Sequence, residues 1–66
     1  MAQQTKNAIR RAFIQLLNER SLDKISIKDI AEKGAVNRNT FYYYYADIYA
    51  LVEDILQLEI QNFQSK

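Results

Sequence analysis

The sequence predicts an all-α fold: a three-helix bundle followed by the start of a longer fourth helix. Three observations carry this. The 66 residues contain no proline and one glycine, so little in the chain breaks a helix. Apolar residues recur at three- and four-residue spacing instead of alternating. Ser26, Asn37 and Asp47, all good helix caps, stand at the heads of these periodic segments.

The first helix is expected from about Gln4 to Glu19. Ile9, Ala12, Phe13, Leu16 and Leu17 follow i, i+3, i+4, i+7, i+8 and share one face, with Arg10 and Arg11 off it. The stretch RSLDK (Arg20–Lys24) is polar apart from Leu22 and reads as a loop. The second helix is expected over Ser26–Lys33. Ser26 caps it, Asp29 stands where a capping-box acid belongs, and Ile27, Ile30 and Ala31 form the apolar side. Gly34 ends it, because glycine tolerates the left-handed conformation a helix C-terminus often needs. Asn37 caps the third helix, with Thr40 at its third helical position, and the helix runs to Tyr43 or Tyr44. Two helices joined by Gly34-Ala35-Val36 make a helix-turn-helix.

Asp47 caps the last helix. Its apolar stripe is Ile48, Leu51, Val52, Ile55 and Leu58, with Glu59 and Asn62 polar at the far end. Tyr49, Leu56, Ile60 and Phe63 add apolar surface outside that stripe. Three short helices offer too little surface to cover all of it. The far half is expected to continue into a further domain or to pack on another chain. Residues 1–46 then form the helix-turn-helix domain, and 47–66 a fourth helix that links it onward.

Composition narrows the chemistry. With no cysteine and no histidine, the chain lacks disulfides, thiolate ligands and the commonest general base. It has neither a glycine-rich phosphate loop nor a carboxylate cluster, so no enzyme, cofactor or metal is expected. The longest apolar runs, FYYYYA and IYALV, are far short of a membrane span. The N-terminus MAQQTKNAIRRAF has no signal-peptide apolar core, and a cytoplasmic protein without membrane contact is expected. Net charge is +1 but unevenly spread. Residues 1–38 hold eight Lys and Arg against four Asp and Glu, a net +4; residues 39–66 hold one against four, a net −3. Such a division suits a polyanion-facing end, but charge alone favours an unevenly charged solvated surface.

The stretch NRNTFYYYY (Asn37–Tyr45) raises a geometric problem. A helix turns about 100° per residue, so five consecutive aromatic side chains point almost all round it. Phe41, Tyr44 and Tyr45 share a face by i, i+3, i+4 spacing; Phe41 and Tyr45 are expected on the core side, with Tyr44 at the edge. The opposite face carries Arg38, Asn39, Tyr42 and Tyr43. Arg and Asn make bidentate contacts with guanine and adenine edges. Tyr brings a hydroxyl for phosphate and a ring for a thymine methyl or a sugar. The bland alternative is that all five rings pack.

The segment ISIKDIAEKGAVNRNTFYYYYADIYALVEDI (Ile25–Ile55) closely resembles the DNA-binding region of TetR-family transcriptional repressors. It matches the family pattern, in places conservatively, at Ser26, Ile30, Ala31, Val36, Asn37, Arg38, Thr40, Phe41, Tyr42, Tyr44, Asp47 and Leu51. The first helix resembles the family's too, so the likeness covers residues 5 to about 57. There are four departures. The usual Ala-Gly-Val turn is Gly34-Ala35-Val36; the small residue before the Thr is Asn39; the Lys after the fourth-helix cap is Ile48; and the closing Phe is Tyr45, whose hydroxyl needs a partner or solvent.

The resemblance implies sequence-specific binding of double-stranded DNA and transcriptional regulation, most often repression, with the third helix in the major groove. On that helix Arg38, Asn39, Thr40 and Tyr42 are the expected base readers, Asn39 being an addition where the family has a small residue. Thr5, Lys6, Ser26, Lys28, Asn37, Tyr43 and Tyr44 are implied on the DNA backbone, although Lys6 and Lys28 could equally be ordinary solvated lysines. It further implies a homodimer, a palindromic operator, and a small-molecule effector bound by a C-terminal domain outside these residues. The alternative function is a protein-interaction helical module that uses the exposed tyrosine face.

Overall fold

The computed structural model describes residues 2–64, with side chains over 4–61. Helix α1 spans Ala2–Glu19, α2 Ile27–Lys33, α3 Arg38–Tyr44 and α4 Ile48–Gln64. The first helix starts two residues earlier than expected, since nothing in Ala2-Gln3 opposes a helix. The RSLDK loop contains a short 3-10 turn at Leu22–Lys24, closed by the Lys24 N–H donating to the Ser21 carbonyl at 2.9 Å.

The caps work as the sequence indicates. The Asp29 N–H donates to the Ser26 hydroxyl at 3.1 Å, and the Ser26 N–H donates back to the Asp29 carboxylate at 3.0 Å, which completes the capping box. The Thr40 N–H donates to Asn37 Oδ1 at 2.8 Å, and the Ala50 N–H to Asp47 Oδ1 at 2.9 Å. Each contact satisfies an amide that a helix N-terminus otherwise leaves without a partner.

The helix-turn-helix corner differs from expectation. Gly34 is not left-handed: its φ is −86°, and Ala35 holds the positive φ of 59°. The hydrogen bonds form a Schellman motif, with the Ala35 N–H on the Glu32 carbonyl and the Val36 N–H on the Ala31 carbonyl. Ala35 therefore occupies the position after the cap where glycine is usual. Gly34 is small for a different reason. A Cβ built on it would lie 3.3 Å from the Ile30 carbonyl oxygen and 3.4 Å from that of Ala8. The turn thus presses against the backbone of α1.

Ile9, Ala12, Phe13 and Leu16 of α1 meet Ile30 of α2, Phe41 of α3 with its capping residue Tyr45, and Leu51 of α4 in one core. Ile25, between the expected loop and the second helix, belongs to it too. Phe41 is fully buried and sits 5.7 Å from the Tyr45 ring, centroid to centroid. Leu17, placed on the core face by its spacing, is half-exposed instead. With Ile14, Leu22, Val52 and Leu56 it lines an apolar groove of about 190 Å³ on the α1/α4 side. Along α4, Leu51 is buried, Ile48, Val52 and Ile55 are partly so, and Tyr49, Leu56, Leu58 and Ile60 are exposed. Asn62 and Phe63 lie outside the side chains described.

Arg10 departs furthest from the periodicity. It lies off the apolar stripe, yet it is only 8% exposed. Its Nη1 donates to Asp54 Oδ2 at 2.8 Å, across 44 residues of sequence, and its Nη2 to Asn7 Oδ1 at 2.6 Å. The Tyr45 hydroxyl donates to the same Asp54 oxygen at 2.5 Å. The hydroxyl that replaces a bare phenylalanine ring has thus found a carboxylate partner. Tyr45, chiefly through that hydrogen bond, and then Arg10 and Lys6 outweigh burial and hold the Asp54 carboxyl below its ordinary 3.8. Burial, reinforced by Asp54, pushes the Tyr45 hydroxyl up to about 12.

Two predictions follow from the turn and from this network. Ala35→Gly removes a left-handed alanine and should stabilise the domain by up to about 1 kcal/mol, after the added flexibility of glycine in the unfolded chain is set against it. A thermal melt should show a higher Tm; a lower one would mean that unfolded-state entropy dominates at this site. Stability should also fall at both pH extremes. Asp54's contribution is complete above about pH 4 and is lost as pH drops below it, since the fold favours the charged carboxylate. Tyr45 keeps its proton in the fold up to about 12, whereas the unfolded chain releases it near 10.0, so its contribution disappears as pH climbs between these values. Tyr45→Phe should remove the alkaline loss and shrink the acid one, read as Tm against pH beside the wild type.

Candidate nucleic-acid interface

The outward face of α3 is built by anchoring the opposite one. Phe41 and the capping residue Tyr45 are buried, so the side chains between and before them turn to solvent. Tyr42 is 54% exposed and Tyr43 81%. Tyr44 sits at the edge, partly buried and edge-on to Tyr43 with ring centroids 4.9 Å apart. Tyr42 is likewise edge-on to Phe41, at 5.8 Å. The two outermost rings therefore each lean on an inner one, which limits their freedom before anything binds.

Arg38 and Asn39 occupy the first turn of α3 and are both exposed. Neither has a hydrogen bond or ion pair among the described residues. The contrast with other cations is informative. Arg10 is buried on Asp54, Arg20 pairs with Asp29 at 3.4 Å, and Lys33 pairs with Glu19 at 3.2 Å. The Arg38 guanidinium and the Asn39 amide keep every donor and acceptor for an outside partner.

Thr40 and Asn37 are more committed. The Thr40 hydroxyl donates to Asn37 Oδ1 at 3.1 Å, the oxygen that also caps the helix. Thr40 is partly buried and offers mainly its methyl, while the Asn37 NH2 remains a donor. Ser26 is similar at the start of α2: its oxygen accepts from the Asp29 N–H, and the residue is exposed. Lys28 is exposed in the same turn. Hydrogen bonds from the Ser26 backbone and side chain hold the Asp29 carboxyl below its ordinary 3.8, with Arg20 and Lys28 adding to this. Asp29 thus stays charged as part of the cap.

At the other end of the face, α1 contributes Thr5 and Lys6, both partly exposed. Lys6 Nζ stands 5.8 Å from the centroid of the Tyr45 ring, a cation–π distance. This contact, and the Arg10–Asp54–Tyr45 network beside it, are absent from sequence reasoning. The need of Tyr45 for a partner was a signal; nothing in the spacing pointed to Asp54 or to Arg10 as that partner. Among the described residues there is no cluster of His, Cys, Asp or Glu able to hold a metal, and no helix long and apolar enough to cross a membrane.

Comparison with known proteins agrees with this geometry. Residues 9–55 match the family model described as bacterial regulatory proteins, tetR family. Two Bacillus subtilis (strain 168) proteins are similar: the uncharacterized HTH-type transcriptional regulator YxbF, 33% identical over 57 residues, and the uncharacterized HTH-type transcriptional regulator YvdT, 39% identical over 49. The matches cover 86% and 74% of this chain but 15% and 25% of those proteins, so the chain spans a small part of their length. No solved structure matches the chain. With two capped helices joined by a Schellman turn, a solvent-facing third helix and a family match over that whole unit, the chain belongs to the tetR family of bacterial regulatory proteins and carries its helix-turn-helix DNA-binding region.

Proposed function

We propose that α3 enters the major groove of double-stranded DNA and that the chain acts there as a transcriptional repressor. The observation that carries this is the pairing of free Arg38 and Asn39 with exposed Tyr42 and Tyr43 on a helix whose other side is buried through Phe41. Arg38 reads a guanine edge and Asn39 an adenine edge. Tyr42 and the Thr40 methyl meet bases or thymine methyls, while Tyr43 and Tyr44 reach sugars and phosphates. Asn37, Ser26 and Lys28 hold one flank of the backbone, and Thr5 and Lys6 the other.

The rest of the assembly is inferred on the same footing. Two recognition helices spaced about 34–36 Å apart read a palindromic operator. That spacing needs a homodimer, which we assign to a C-terminal domain that also holds a small-molecule effector. The exposed Leu56 and Ile60 on the far half of α4 suit such an extension. The setting is the cytoplasm.

A salt titration tests the central claim. Phosphate binding makes log affinity fall linearly with log salt, whereas a tyrosine-rich protein-interaction face would show little slope. Arg38→Ala should weaken binding to a selected site by about 1–3 kcal/mol more than to random duplex. Equal loss on both DNAs would make Arg38 a phosphate contact and remove it from base reading. Flat salt dependence on every duplex would favour the protein-interaction alternative.

A further inference from the structure

We propose that Tyr45 and Asp54 are positioning residues for DNA binding: through one shared carboxylate oxygen they set the spacing between Lys6 on α1 and the C-terminal end of α3. The proposal rests on the DNA-binding reading above and adds to it residues that touch no DNA themselves.

The geometry is specific. Tyr45 is the capping residue of α3, and its N–H closes that helix on the Phe41 carbonyl at 2.9 Å. Its hydroxyl is bound to Asp54 of α4 at 2.5 Å. The same Asp54 oxygen takes Arg10 of α1 at 2.8 Å, and Arg10 in turn holds Asn7 at 2.6 Å. Lys6, the neighbour of Asn7, lies over the Tyr45 ring at 5.8 Å. The end of the recognition helix, the fourth helix and the first turns of α1 are therefore tied at a single atom. On one side of the tie stand Tyr43 and Tyr44, and on the other stands Lys6. Each side offers donors to a phosphate, and two donors engage one DNA backbone together only if their separation is fixed beforehand.

A purely packing role for Tyr45 would need only its ring, which contacts Phe41 at 5.7 Å. The hydroxyl adds nothing to that contact, and it connects α3 to a charge pair that α1 and α4 already share. Removing the hydroxyl leaves Arg10 and Asp54 paired and the ring in place. What it releases is the register of α3 against α1.

The test is a double-mutant cycle on a mixed-sequence duplex of about two helical turns. It is run in the cold, where circular dichroism shows wild type and variants fully folded. Lys6→Met should weaken binding and lower the salt slope by about one. Tyr45→Phe, which changes no charge, should weaken binding about three- to tenfold and lower the slope as well. The double variant should then bind no worse than the weaker single one. If Tyr45→Phe binds like the wild type, or if the two losses multiply, the positioning role is overturned while the DNA reading stands. If the wild type itself shows no salt-dependent binding to duplex, the DNA reading fails and this inference with it. Asp54→Glu, which keeps a carboxylate for Arg10 and the net charge but displaces it from the Tyr45 hydroxyl, is the second variant should Tyr45→Phe not fold, and the same coupling to Lys6 is expected of it.

Discussion

One oxygen atom, Oδ2 of Asp54, receives both the Arg10 guanidinium and the Tyr45 hydroxyl. The three helices that meet there share only a small apolar core, and a domain of this size draws modest stability from such a core. A buried cation without its partner would be strongly destabilising, so Arg10 is tolerable only because Asp54 faces it. The carboxylate in turn receives two donors, and among the described residues no buried side-chain nitrogen or oxygen is left unsatisfied. Packing decides which faces meet. The shared oxygen decides the angle at which they meet, because hydrogen bonds are directional and apolar contacts are not.

The turn between α2 and α3 distributes two demands over two residues. Close approach to α1 requires a residue with no side chain, and Gly34 supplies it. The Schellman geometry requires a left-handed residue one place later, and Ala35 takes that position at φ 59°. In the family's usual order, glycine stands at the second of these places. Here the order is reversed, which relieves crowding against α1 at the expense of backbone strain at Ala35. The hydrogen bonds on both sides of Ala35 hold it in that conformation.

Much of this was legible in the chain itself. Helix starts could be read from Ser26, Asn37 and Asp47 because caps are local chemistry, with donor and acceptor within three residues. The division of the aromatic run could be read because Phe41 has no polar atom and helical geometry fixes its neighbours. The left-handed residue was misplaced by one, since the glycine signal for backbone freedom and the glycine signal for close approach look identical in sequence. Leu17 was placed inside because periodicity gives the angle of a side chain and not the extent of the surface above it; α4 stops short of covering it. Burial of Arg10 was invisible, because its partner lies 44 residues away and no local pattern connects them. The candidate interface shows the same split: the exposure of Arg38, Asn39, Tyr42 and Tyr43 follows from their helical face, whereas the contact of Lys6 with the Tyr45 ring depends on how α1 crosses the end of α3.

The missing methyl at Gly34 has a mechanical consequence. Its nearest contacts on α1 are Ala8 and Ala12, close to the midpoint of a helix that spans Ala2–Glu19. A rod of that length, roughly 27 Å at 1.5 Å per residue, rests there on a fulcrum. Its C-terminal end is fastened to α2 by Glu19 and Lys33. A side chain there would force α1 off the turn by a few tenths of an ångström, beside Thr5 and Lys6, which stand within three residues of Ala8. The smallest residue in the domain thus sets how closely α1 can lie on the helix-turn-helix corner.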